Sequence, residues 1–182
     1  MNIFRKLVID IETDREIERD AFEYYGPIAE AAGWTNRGKF AILGVYFRGA
    51  SIQGSGFAIF LATSAVAPTP DHNVKGDMTE IAVNNGYSVG GINVNRDSTD
   101  FDVLTEDDTN DWALVQLKDI VWTASGGPIP ASGNGARYAV LTDRHATPAS
   151  REIIAMFDLV SDRTVSDGQT LSLLNCELRL TE

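Results

Sequence analysis

Asp10 and Glu12 stand two residues apart in Val8-Ile9-Asp10-Ile11-Glu12-Thr13, and His72 and Asp77 follow later at a spacing of five. On a strand, residues two apart leave the same face. Carboxylates gathered that way can hold the metal ions that assist phosphodiester cleavage. A second acidic group, Asp97, Asp100, Asp102, Glu106, Asp107, Asp108 and Asp111, is dense enough to raise the question of calcium, which takes about six to eight oxygen ligands. The EF-hand spacing and its central glycine are missing, so a solvated acidic loop is expected. His72 and His145 lie in separate polar stretches, and Gly54-Ser55-Gly56 lacks the spacing of a G-x-S-x-G nucleophile elbow. Gly126-Gly127 is followed by prolines and no Lys, which argues against a phosphate-binding loop. Trp34, Trp112 and Trp122 could stack on sugar rings; Trp122 sits in an apolar run and reads as core, whereas Trp112, after Asn110-Asp111, reads as rim.

The Asp10-x-Glu12 stretch resembles the first motif of the DnaQ-like exonucleases, and His72 and Asp77 match the spacing of that family's late His-Asp motif. The likeness covers six residues. The late motif arrives too early here, before any second carboxylate motif on a helix. The expectation is therefore an arm strand leading into a capped helix, with no catalytic, cofactor-binding or metal-ligating residue.

Composition narrows the field further. The chain has 182 residues, a hydrophobic share of 43% and a net charge of −11, which allow one good core in a globular chain. Phosphate backbones repel so acidic a surface, so no nucleic acid is expected as partner. No apolar run reaches the roughly 20 residues of a membrane span, and no secretory signal is expected. A single cysteine, Cys176, excludes an intramolecular disulfide and reads as a buried thiol.

Residues 1–38 read as an N-terminal arm. Thr13 and Glu16 form a capping box, and Ile17, Ala21, Tyr24 and Tyr25 recur at helical spacing, which predicts one short helix that Gly26-Pro27 ends. Residues 39–182 read as a β domain. Apolar or alternating runs at 40–47, 57–62, 92–94, 101–103, 113–117, 120–122, 138–141, 153–159, 170–174 and 176–180 predict short strands. Turn signals separate them at Asn84-Asn85-Gly86, Gly90-Gly91 and Asp167-Gly168. Between the strands at 120–122 and 138–141 lies a block with Gly126, Gly127, Pro128, Pro130, Gly133, Asn134 and Gly135, expected to project as a loop. The fold class predicted is mainly β: an antiparallel β-sandwich, jelly-roll or Ig-like, with an N-terminal arm containing a short helix.

Over residues 57–180 the order of several blocks carries a resemblance. FAIFLAT leads into APTPD; EIAVNNGYSVGG follows; then a strand ending in Trp122 meets the Gly/Pro block and the ARYAVL strand; REIIAMFDLVSDRTVSDGQTLSL closes the series. This arrangement resembles a family of tailed-bacteriophage virion structural proteins. The resemblance implies a non-enzymatic part of a virus particle located in the virion: a capsid decoration or cement protein bound to the major capsid protein and to copies of itself, as a homo-oligomer such as a trimer. Tail-fibre or adaptor roles stay open, as does a host-glycan-binding module using Trp112 and the Gly/Pro loop. No cofactor, nucleic acid or membrane enters. In this reading the arm docks on the shell, and its expected anchors are Ile3, Phe4, Leu7, Ile9, Ile17, Phe22, Tyr24, Tyr25 and Trp34.

Overall fold

The structure, a computed structural model, describes residues 21–25 and 33–181. It is mainly β, a two-layered sandwich with one helix near the N-terminus. The strands are β1 (Ala21–Tyr25), β2 (Gly33–Trp34), β3 (Gly56–Ala62), β4 (Ile92–Asn95), β5 (Val103–Asp107), β6 (Trp112–Leu117), β7 (Ile120–Thr123), β8 (Ala136–Asp143), β9 (Ile153–Arg163), β10 (Thr170–Leu174) and β11 (Cys176–Thr181), and helix α1 spans Asn36–Arg48. One layer is a five-stranded sheet in the order β2-β9-β8-β3-β4. The other is made of two three-stranded sheets, β1-β10-β7 and β11-β6-β5. These continue one another: β10 pairs with β7 up to Leu173–Ile120, and β11 takes over with β6 at Cys176–Leu117. Asn175, at φ 52°, makes the break between β10 and β11.

Alternation along the strands explains where the core sits. Ile59 and Leu61 of β3 and Ala139 and Leu141 of β8 face inward, where they meet Ile120 and Trp122 of β7, Leu171 and Leu173 of β10, and Cys176 of β11. Phe60, Ala62, Tyr138 and Val140, the intervening residues, point to the opposite face. That face is not wet: Met78, from the connection between β3 and β4, covers it together with Val66. Because β3 and β8 are buried on both faces, they read as nearly continuous apolar runs. Burial pushes the Cys176 thiol up to about 12, so it stays protonated and inert at neutral pH.

Three expectations need correction. The apolar run at 40–47 is helix, not strand. Thr35 caps it, its side chain accepting from Gly38 N at 2.8 Å, and Gly49 ends it at φ 63° with Ala50 N donating to Gly44 O at 3.0 Å. α1 therefore runs across residues 38 and 39, where the sequence places the division between arm and β domain. Second, Ala21–Tyr25, expected to complete the arm helix, is strand β1, which pairs in parallel with β10 from Ala21–Thr170 to Tyr25–Leu174. An open β10 edge offers this aromatic run a row of amide and carbonyl partners, which outweighs a weak helical period. The start of the expected helix, with Thr13, Glu16 and Ile17, lies outside the described residues. Third, the Gly/Pro block does not simply project. Ile129 and Pro130 are buried, Ile129 exchanges backbone hydrogen bonds with Val165, and Asn85 Nδ2 donates to Pro128 O at 2.9 Å. Its exposed parts, Gly126 with Pro128 and the tip around Gly133, flank the buried Ile129-Pro130.

Candidate functional site

The four largest exposed apolar side chains near one another in sequence all belong to α1. Phe40 is 60% exposed, Leu43 56%, Tyr46 81% and Phe47 74%. Positions 40, 43 and 47 share one helical face, and Tyr46 borders it. Fully burying side chains of this size stabilises by about 1.5–3 kcal/mol each, so four exposed on one helix make the most apolar surface feature among the described residues. The opposite face explains the orientation: Gly38 is buried against Ile154 of β9, and Ala41 packs on the main core.

The stripe is held firmly. Thr35 N donates to Ile154 O at 3.1 Å, and Thr35 Oγ1 bonds Ile153 O at 2.5 Å. Asn36 N donates to Pro70 O at 2.8 Å, and its Nδ2 donates to Asp71 at 2.8 Å. Arg37 forms an ion pair with Glu152 of the β9 entry and lies 5.0 Å from the Phe40 ring centroid. Glu152, as hydrogen-bond partner, raises the Arg37 pKa and holds its charge. Tyr46 and Phe47 meet edge to face at 4.9 Å. The helix carries Arg37, Lys39 and Arg48 and no acidic residue, in a chain whose net charge is −11. Lys39 and Arg48 are exposed beside the apolar stripe. The result is a rigid apolar face with a basic rim on an acidic molecule.

The residues singled out from sequence are distributed as follows. Ile3, Phe4, Leu7, Ile9 and Ile17, like Asp10 and Glu12, lie outside the described residues. Phe22, Tyr24 and Tyr25 are on β1, at the register positions of Leu171, Leu173 and Leu174. Trp34 is half-buried against the protein's own core, and its Nε1 donates to Arg179 O of β11 at 2.9 Å. Trp122 is core, and Trp112 is half-buried with the Arg179 guanidinium 4.5 Å above its ring. His72 and Asp77 shape a turn: Asp77 accepts from Asn73 N at 2.8 Å and Val74 N at 3.0 Å, which lowers its pKa. Phe40, Leu43, Tyr46 and Phe47 were missed as site residues because the run reads as a buried strand.

Three members of the acidic group, Asp97, Asp100 and Asp107, are occupied by local structure. Asp97 accepts from Thr99 N and Asp100 N, and Asp107 accepts from Thr109 N and Asn110 N. Asp100 is buried, paired with Lys118, and accepts from Asn95 N at 2.6 Å. Among the described residues no group of three or more His, Cys, Asp or Glu is placed to hold a metal ion, and no helix is long and apolar enough to cross a membrane.

Asp100 carries a pH prediction. The Lys118 hydrogen bond, with that from Asn95, lowers its pKa below the ordinary 3.8. A carboxylate lowered on folding stabilises above its unfolded pKa, and that contribution fades as pH falls through the folded value. Asp100→Asn is expected to be less stable than wild type at pH 7, with the gap narrowing below about pH 4. Urea midpoints at neutral and acid pH measure it; a gap independent of pH would remove the carboxylate from the explanation.

Comparison with known proteins returned no match: no family model matches the chain, and no curated protein or solved structure matches it. The resemblance of the 57–180 blocks is thus a reading of sequence order alone.

Proposed function

We propose that this protein is a non-enzymatic structural component of a tailed-phage particle, a capsid decoration protein that fastens to the shell of the major capsid protein and to copies of itself. The single observation that carries the reading is the apolar face of α1. Four large apolar side chains held exposed on one helix are what an assembling protein requires of a contact face. The order of the strand blocks supports the choice of a virion. In this reading Ile3, Phe4, Leu7, Ile9 and Ile17, in the segment that precedes β1, supply further apolar anchors for the shell.

Co-sedimentation with undecorated shells tests the proposal. The full chain should pellet with shells and be present in hundreds of copies per particle. Tyr46→Ser/Phe47→Ser should weaken loading of the shell about thirtyfold or more, whether the stripe touches the shell itself or a neighbouring copy seated on it, the loss expected when central aromatic anchors are removed. A handful of copies confined to the tail would move the protein to a tail-associated role. Wild type that neither pellets with shells nor occurs in particles would end the virion reading.

A further inference from the structure

The sheet β11-β6-β5 has an end that leaves the core. Residues 113, 115 and 117 of β6 share a face with Leu104 and Glu106 of β5 and with Cys176, Leu178 and Leu180 of β11, as their register requires. At one end this face is core: Leu117, Cys176 and Leu178 are buried. At the other it runs out into solvent, where Leu180 is 52% exposed, Leu104 82% exposed, and Ala113 between them is exposed too. Among the described residues β5 is the outer strand of this sheet and pairs with β6 alone. Its exposed Glu106, and Asp108 in the turn that follows, border the apolar end. From residue 97 to 117 the chain has seven acidic residues and no basic one. From 31 to 70 it has Arg37, Lys39 and Arg48 and no acidic one.

We propose that α1 of one copy docks on this outer end of the β5-β6-β11 sheet of a second copy. The proposal rests on the assembly reading above and names its partner. Both surfaces are apolar at the centre and charged at the rim, and the rims are of opposite sign. Phe40, Leu43 and Phe47 meet Leu104 and Leu180, while Lys39 and Arg48 face Glu106 and Asp108. Two hairpin ends repel each other, as do two helix rims, so charge leaves the helix-to-hairpin contact as the one favoured between copies. Among the described residues α1 packs on β9 and β2, and Phe40, Leu43, Tyr46 and Phe47 stay exposed. A contact between two different patches makes a closed ring when its rotation closes, or a twofold dimer when it is made reciprocally. Either way each contact uses one helix and one hairpin.

A charge-swap experiment tests it in the full chain. One variant carries Lys39→Glu/Arg48→Glu and the other Glu106→Lys/Asp108→Lys. All four positions are exposed, so the fold should be kept, which circular dichroism checks. By analytical ultracentrifugation wild type should self-associate. Each variant alone should self-associate at least about tenfold more weakly, and an equimolar mixture should recover association, because both rims are then complementary again. A variant that associates as well as wild type, or a mixture that stays apart, overturns the contact. If the first variant loses shell binding while wild type is monomeric in solution and on shells, α1 faces the shell: this inference falls and the proposed function stands. If wild type neither self-associates nor binds shells, both fall.

Discussion

Glu80→Gln should lower stability by about 3 kcal/mol, a drop of roughly 6–12 °C in Tm for a chain of this size. Glu80 is the hub of a nearly buried polar network within the connection between β3 and β4. Lys75 Nζ lies 2.6 Å from Glu80 Oε2, with the two side chains only 11% and 12% exposed. Oε1 accepts from the Tyr87 phenol at 2.9 Å and from Gly90 N at 2.6 Å. Tyr87 in turn accepts from Leu61 N of β3 at 2.9 Å. Burial, the largest effect, holds the Tyr87 pKa well above the ordinary tyrosine range, so it remains a donor to Glu80. Glutamine preserves one acceptor oxygen and nearly the same volume. It removes the negative charge and leaves the Lys75 ammonium in a site that otherwise offers the Phe60 ring, 4.8 Å away. Breaking a buried pair from one side costs about 3–5 kcal/mol, and the slight exposure of Lys75 favours the lower end. Removing both charges should cost less: Lys75→Met/Glu80→Gln should regain at least half of the loss. Urea denaturation of the three variants decides it. A single variant within 1 kcal/mol of wild type, or a double variant worse than the single, would show that the pairing is not what holds this connection.

The strands were legible wherever one face is wet or a turn bounds the run. Leu178 and Leu180 alternate with Glu177 and Arg179, and β11 is there; Asp167-Gly168 turns the chain into β10. What misled was a run apolar on every side. FAILGVYF has no polar residue to reveal its period, and β-branched and aromatic residues favour the strand reading. The information that decides it lies outside the run, in the Thr35 cap and the Gly49 terminator with Arg48 in the last turn. Burial misled in the same way: apolar residues were expected inside, whereas Phe40, Tyr46 and Phe47 are outside because the inner side of α1 is already taken by Gly38, Ala41, Ile42 and Val45. The parallel pairing of β1 with β10 had no signature in the local pattern, since it depends on which edge the sandwich leaves open. The Gly/Pro block was recognised as irregular, but the burial of Ile129 depends on Val165, 36 residues away, and no local pattern could announce that.

The second large effect is expected at the base of the helix. Gly38→Ala should destabilise the protein by about 2 kcal/mol, although alanine is the better helix former. Two terms oppose each other. In a helix interior Ala is favoured over Gly by about 1 kcal/mol. Against it, a methyl at position 38 would overlap the carbonyl oxygen of Ile154, with Ile154 C at 2.8 Å and Cα at 2.9 Å. The obstacle is backbone, and it belongs to β9, clamped between β2 and β8. It cannot turn aside as a side chain could, so the helix must lift. Overpacking of this kind costs about 3 kcal/mol at the upper end of its usual range, more than the propensity gain. Gly44 is the internal control. The nearest atom to a methyl there is the Ala50 side chain at 3.5 Å, an ordinary contact. Gly44→Ala should therefore stabilise by about 0.5–1 kcal/mol. The pair also separates stability from assembly. Lifting α1 strains the Thr35 bonds to β9 and the Arg37–Glu152 pair that fix the stripe, so Gly38→Ala should weaken association between copies even in conditions where it is fully folded. Gly44→Ala should leave association at the wild-type level. If both glycine variants associate like wild type while Gly38→Ala alone is destabilised, the placement of α1 matters to the fold and not to its partner.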